Sequence, residues 1–187
     1  MTTNSDDVQR APEILTSDDL SIALDLTRRR DAFGKYLAYP WLRVRIIQAK
    51  GQLPSVTCPA CGYLTMVSPT YDTCGLCAWS EDGQDDPVLD VITGANEQLT
   101  LATARRNFRE HLSIFDRSDK GRAEHRAHVV EQKSEIVRKF DALAVGVSAK
   151  QFFNELQEIT NLIASMSEGI AREMKAEREA REAREVQ

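Results

Sequence analysis

The sequence contains no run of about 18 apolar residues, the length a helix needs to cross a bilayer, so no membrane-spanning segment is expected. It also lacks a secretory signal. Met1-Thr2-Thr3-Asn4-Ser5-Asp6-Asp7 has neither a basic region nor an apolar one, which points to a reducing cytoplasm. An excess of basic charge is missing too. The net charge of −5 argues against a dedicated nucleic-acid binder, because phosphate contact is driven by Lys and Arg. There are only three histidines, and none shares a ligand spacing with a cysteine or another histidine. His111, His125 and His128 therefore read as surface or rim residues on helices.

Only four cysteines are present, and all lie between Cys58 and Cys77. They form two C-x-x-C pairs, Cys58/Cys61 and Cys74/Cys77, with twelve residues between the inner members. A C-x-x-C turn places two sulfurs on one side of a tight bend. Two such turns facing each other supply four thiolates at tetrahedral corners, the arrangement a structural Zn²⁺ takes. Gly62 and Gly75 lie at the bends, where a small residue lets the backbone amides fold toward sulfur. Two other readings compete. A thioredoxin-type dithiol occurs once, inside a βαβ pattern, and disulfides need an oxidising compartment. Both fit less well than a metal site. With four Cys ligands the coordination shell is closed, so the ion holds shape and runs no chemistry. Tyr63 to Val67 is β-prone and is broken by Ser68-Pro69-Thr70. The expected local fold is two knuckles joined by a small hairpin, a zinc ribbon.

The remaining chain reads as helical, giving a mainly α protein with a small central β zinc ribbon. Residues 1–15 are polar and are expected to form a mobile N-terminal arm. Residues 16–54 are an N-terminal helical segment that starts at Thr16-Ser17-Asp18-Asp19, a hydroxyl cap followed by acids. Its apolar face is expected to hold Leu20, Ala23, Leu24, Thr27, Phe33, Tyr36 and Leu37. Pro40 opens a second helix over Trp41 to Ile47, although Leu42, Val44 and Ile46 also alternate as in a strand. Arg28, Arg29, Arg30, Lys35, Arg43, Arg45 and Lys50 read as a solvated face, or else as a basic patch for an acidic partner or RNA. Residues 55–99 hold the ribbon and an acidic loop containing Glu81, Asp82, Asp85 and Asp86, beside Trp79 as ribbon core. The acids suit a solvated loop, a secondary cation site or a face for a basic partner. No histidine or nucleophile lies near them in sequence, so a catalytic carboxylate pair is set aside.

Residues 100–171 form a helical region. Leu101, Ala104, Phe108, Leu112 and Phe115 mark a first helix face. Val129, Val130, Ile136, Val137, Phe140 and Leu143 mark a second, ended by Gly146. Ser148 caps a third helix with a heptad-like seam of Phe152, Leu156, Ile159, Ile163, Met166 and Ile170. The last two are expected to pair as a C-terminal helical hairpin, with self-association through the seam as the alternative. Residues 172–187 are a charged helical tail in which Glu177 and Arg181 have pairing distance.

Cys58-Pro59-Ala60-Cys61-Gly62-Tyr63 and Cys74-Gly75-Leu76-Cys77-Ala78-Trp79-Ser80-Glu81-Asp82-Gly83-Gln84-Asp85-Asp86-Pro87 together resemble the bacterial cysteine-rich CPCC family. Gly94-Ala95-Asn96, Leu101, Ala104-Arg105 and Asn107-Phe108 continue the resemblance, which spans roughly residues 56–115. Three departures stand out. Ala60 occupies the position of the family's middle cysteine, and Ala78 and Ser80 stand where Phe and Glu are frequent. The four thiolates assigned to zinc are unaffected. The resemblance implies no enzymatic activity. It implies a binding module, an immunity or antitoxin protein that occludes a cognate toxin. An acidic face on Glu81, Asp82, Asp85 and Asp86 would suit a basic toxin. The alternative is a nucleic-acid-associated regulator using the ribbon and the Arg-rich helices.

Overall fold

A computed structural model describes residues 16–49, 51–83, 94–97, 99–118 and 122–185. The expected polar arm, Lys50, Asp85 and Asp86 lie outside these residues. Among the described residues, five α-helices accompany a two-stranded sheet: α1 (Ser17–Leu37), α2 (Pro40–Gln48), β1 (Val56–Thr57), β2 (Leu64–Met66), α3 (Leu101–His111), α4 (Ala127–Val145) and α5 (Ala149–Glu185). The architecture is mainly α with a small central ribbon. No helix among the described residues is long and apolar enough to cross a membrane.

Helix α1 starts where its cap chemistry predicts. The Thr16 hydroxyl accepts from the Asp19 amide at 3.2 Å, and the Asp19 carboxylate accepts from the Thr16 amide at 2.8 Å. This reciprocal box satisfies two amides that the first turn leaves open. Arg106 on α3 donates to the other Asp19 oxygen at 2.9 Å, so the cap also fixes α1 against α3. Burial raises the Asp19 pKa, but the Thr16 amide, the Thr16 hydroxyl and Arg106 outweigh it and hold the carboxyl below its usual range. A carboxyl depressed in the folded state adds stability above its unfolded pKa and loses it as pH falls through the folded one. Asp19→Asn is therefore expected to lower stability by about 1–3 kcal/mol at neutral pH. Urea titrations at pH 7 and at pH 2.5 check this, and the penalty should shrink in acid.

The buried face of α1 differs from the expected one. Ile22, Leu26, Phe33 and Tyr36 are buried, whereas Leu20 and Leu24 are 58% and 60% exposed. Both sets have helical spacing, and the partner decides between them. Leu26 lies against the first knuckle, where a Cβ on Gly62 would stand 3.2 Å from Leu26 Cγ. Pro40 occupies the first turn of α2, and the helical reading of that stretch holds.

Helices α4 and α5 are joined by three residues, 146–148, and pack as the expected hairpin. Gly146 ends α4 at φ 124°, and the Ser148 hydroxyl accepts from the Gln151 amide at 3.3 Å. From the seam, Phe152, Leu156, Ile159 and Met166 are buried, while Ile163 and Ile170 are partly buried. Tyr36 ties α1 to this hairpin, since its hydroxyl accepts from the Val147 amide at 2.7 Å and its ring stacks on Phe152 at 4.0 Å.

Two further expectations are corrected. Helix α3 stops at His111, so Leu112 and Phe115 do not extend its face. Leu112 turns left-handed at φ 55° with no glycine to signal it, and the chain then doubles back to bury Ile114. In the tail, Glu177 does not pair with Arg181. Its two oxygens accept from Arg126 at 2.8 and 2.9 Å, and Glu173 holds the same guanidinium. Arg181 faces Glu185 at 3.8 Å instead. Helix α5 runs unbroken across residue 172, clamped there to the start of α4.

Candidate metal centre

The ribbon is built differently from two knuckles joined by a hairpin. Strand β1 lies before Cys58 and pairs antiparallel with β2, so the sheet brackets the first knuckle. The second knuckle is bracketed by a single bridge, Thr73 with Ser80. Each C-x-x-C is thus the turn of its own short ladder. The Cys58 amide donates to the Tyr63 carbonyl at 2.9 Å and the Gly62 amide to the Cys58 carbonyl at 2.9 Å. One knuckle later, the Cys74 amide donates to the Trp79 carbonyl at 2.8 Å and the Ala78 amide to the Cys74 carbonyl at 2.9 Å. Val56-Thr57 is too short to carry an alternation pattern, so the sequence does not signal this strand partner.

The repeat exposes a difference. The residue after each second cysteine has positive φ, 77° at Gly62 and 72° at Ala78. Glycine reaches this region freely, whereas an alanine there costs roughly 1–2 kcal/mol. Ala78→Gly is expected to stabilise the protein by up to about 1 kcal/mol, after the greater freedom of glycine in the unfolded chain is subtracted. A denaturation midpoint that falls would contradict this. Gly75 is needed for another reason, since a Cβ there would stand 2.5 Å from Ile163 Cγ2 on α5. That close approach seats the second knuckle on the hairpin.

The four sulfurs meet at the centre. All lie within 4.8 Å of one another, and all four cysteines are buried. Cys58 and Cys77 Sγ are 3.6 Å apart, and Cys61 and Cys74 Sγ are 3.8 Å apart. A disulfide would bring sulfurs to about 2.05 Å. A tetrahedral ion held about 2.3 Å from each sulfur spaces them about 3.8 Å apart. The spacing fits a shared ion and is too long for bonded pairs. The four cysteines can hold a metal. No other group of three or more His, Cys, Asp or Glu among the described residues does so.

The surroundings of the cluster pull its thiols in opposite directions. Burial pushes the Cys58 and Cys77 thiols up. Burial also opposes the Cys74 thiolate, but donors at Cys58, Cys61, Cys77 and Thr65 outweigh it and take that thiol well below its ordinary value. The Thr65 hydroxyl lies 3.0 Å from Cys74 Sγ. This is the position from which an outer hydroxyl steadies a ligand.

Residues beyond the cysteines hold both knuckles in place. Asn96 is buried, accepts from the Ser80 amide at 2.8 Å and donates to the Ser80 carbonyl at 2.9 Å. It fixes the second knuckle. Arg105 is 6% exposed and donates to the Pro59 carbonyl at 3.0 Å. Arg29 donates to the Cys61 carbonyl at 3.2 Å and lies 4.6 Å over the Tyr63 ring. These two fix the first knuckle. Asn107 donates to the Ile114 carbonyl at 2.7 Å, closing the turn after α3. The Ile114 amide in turn donates to the Cys77 carbonyl at 2.9 Å.

These positions coincide with the Gly-Ala-Asn and Ala-Arg-x-Asn-Phe signatures that lie outside the cysteines, and a family model covers both. Residues 56–126 match the cysteine-rich CPCC family. The matched CPCC segment runs past α3 to the residue before α4, farther than the resemblance legible in the motifs. No curated protein and no solved structure matches the chain. Ala60, in the place of the family's middle cysteine, is buried and outside the sulfur cluster.

The other candidate residues are placed as follows. Trp79 is fully buried, as expected of ribbon core. Glu81 accepts from the Gly83 amide at 2.8 Å and Asp82 from Asn96 at 3.0 Å, so both acids shape their own loop. Arg28 pairs with Asp25 at 3.2 Å. His111 and His125, fourteen positions apart, bring their ring centroids within 6.5 Å. The break at Leu112 creates that approach, and helical periodicity does not signal it. His128 lies 3.1 Å from Glu173.

Proposed function

We propose that the protein is a non-enzymatic protein-binding module braced by a structural Zn²⁺, of the immunity or antitoxin kind that neutralises a bacterial toxin by direct binding. The observation that carries this reading is the closure of the metal centre. Four buried thiolates at tetrahedral spacing complete the shell of the ion and leave no slot for water or substrate. Soft thiolates in that geometry select Zn²⁺ over hard cations. Cys58, Cys61, Cys74 and Cys77 would hold it, and the ion would supply rigidity.

A rigid scaffold without an open site acts through its surface. Helix α2 offers Trp41, Val44 and Ile47, which are 44%, 51% and 67% exposed. The three recur every three residues along α2, and apolar groups gathered on one exposed face form the kind of patch that marks a contact surface. The narrower part of the reading, neutralisation of a toxin, rests on the CPCC resemblance and on the acidic run from Glu81. Such a run favours encounter with a basic partner.

Co-expression with the product of the neighbouring gene tests the proposal. The two proteins should co-purify, and the growth defect caused by the neighbour should disappear. A neighbour that is neither bound nor neutralised would overturn it. The alternative, a nucleic-acid regulator, has less support, because Arg28 and Arg29 are committed to Asp25 and to the first knuckle. It would require binding that falls steeply with salt.

A further inference from the structure

The cations of the N-terminal helices read in sequence as a solvated face or as a basic patch, and the structure sorts them. Arg28 and Arg29 are committed to Asp25 and to the Cys61 carbonyl. Lys35 at the end of α1 and Arg43 and Arg45 on α2 are exposed, and none of the three has an ion pair or hydrogen bond among the described residues.

Each of these three cations lines a hollow beside α2. Lys35 borders one of about 610 Å³ with Val145, where α1 passes the turn between α4 and α5. Arg43 borders one of about 530 Å³ with Ile47, between α1 and α2. Arg45 borders one of about 310 Å³ with Phe153, between α2 and α5. None of the described residues lining the three hollows is acidic, in a chain whose net charge is −5. The exposed apolar side chains Trp41, Val44 and Ile47 stand on the same short helix. The Trp41 ring meets Phe153 edge-on at 6.4 Å, so the patch is anchored on α5.

Charge and shape together choose what fits here. Unpaired cations favour acidic groups on the other side of an interface. Hollows between helices favour side chains that can enter them. A bilayer surface would lie on the α2 ridge and leave the hollows unfilled. A nucleic acid brings phosphates but no apolar side chains, and three cations make a short phosphate track. We propose that the α2 face is a docking site for a segment of a partner protein that carries acidic side chains beside apolar ones. Its apolar groups cover Trp41, Val44 and Ile47, and its carboxylates meet Lys35, Arg43 and Arg45. The proposal rests on the reading of the protein as a binding module, and it gives that module a second face, opposite in charge to the run from Glu81.

The test selects peptides from a random displayed library on the full chain and measures each binder by fluorescence anisotropy. The recovered peptides should be rich in Asp, Glu and apolar residues. Ile47→Ser, and Arg43→Gln combined with Arg45→Gln, should each weaken their binding about tenfold or more. The arginine pair should also flatten the salt dependence. All three positions are exposed, and urea midpoints near that of the parent confirm that the variants fold. A library that yields no binder, that yields neutral or basic sequences, or whose binders hold both variants at parent strength would overturn the proposal. Tighter binding to phosphatidylglycerol vesicles or to a DNA oligonucleotide than to any peptide would overturn it too. So would a parent dimer in sedimentation that Ile47→Ser dissolves, because the face would then belong to a second copy. Each of these results leaves the binding-module reading standing, since co-purification with the neighbouring protein decides that separately.

Discussion

Cys74→Ser is expected to abolish metal retention and to unfold the ribbon together with the helices packed on it. A structural zinc site contributes on the order of 10 kcal/mol to its fold. The whole stability of a domain is typically about 5–15 kcal/mol. Losing one ligand of four therefore removes a term as large as the total. Cys74 is an informative choice, because the Thr65 hydroxyl lies 3.0 Å from its sulfur, so one substitution disturbs both the ligand and its neighbour. The helices should follow the ribbon. The sulfurs, Phe33 of α1, Phe140 of α4 and Phe152 of α5 belong to one buried cluster. Thermal melts followed by circular dichroism check this. Cys74→Ser should lose the cooperative transition of the parent, and a chelator-stripped parent should resemble it. A variant that melts at the parent temperature would show that the helices stand without the centre.

Phe33→Ala should have the second-largest effect, a loss of about 3–5 kcal/mol. Phe33 is fully buried, and its ring meets three others. The centroids of Tyr63, Phe140 and Phe152 lie 6.3, 5.6 and 6.4 Å away. One side chain thus joins α1, the ribbon, α4 and α5. The Tyr63 ring packs in turn on Phe140 at 5.1 Å, and its hydroxyl donates to Asp141 at 2.7 Å. The Tyr63 ring cannot shift far into the vacated space, because its hydroxyl is tied to Asp141. Chemical denaturation gives the magnitude. Loss of under about 1 kcal/mol, a value typical of a site that repacks freely, would contradict the arrangement. The shape of the transition matters as well. A single transition in the variant means that the N-terminal helices, ribbon and hairpin fold as one unit.

The sulfur cluster is legible in the amino-acid sequence because ligand spacing is local. Two residues between cysteines force a bend, and twelve more suffice to bring a second bend opposite the first. The caps at Thr16 and Ser148 and the stop at Gly146 are legible for the same reason, since each depends on side chains within three or four positions. What depends on distant partners is not. Leu26 is buried where Leu20 and Leu24 are not because the first knuckle lies on its side of α1. The pairing of Arg126 with Glu173 and Glu177 spans 47 and 51 positions, and the nearer Glu177–Arg181 spacing masks it. The left-handed Leu112 and Ala78 carry no glycine to announce them. Lys133, buried on α4, interrupts an apolar stripe, which in sequence reads as the edge of a buried face rather than its centre. Asn96 and Arg105 lie inside the family signature, but nothing in their spacing assigns them to hold a knuckle each.

The central claim is that the four sulfurs share one ion and that the ion braces the fold. Elemental analysis of the purified chain, combined with titration of its thiols, tests this most directly. The account predicts one zinc per chain and thiols that stay unreactive until a chelator strips the metal. A chain that carries no metal, with its cysteines either joined as disulfides or freely reactive, would contradict it.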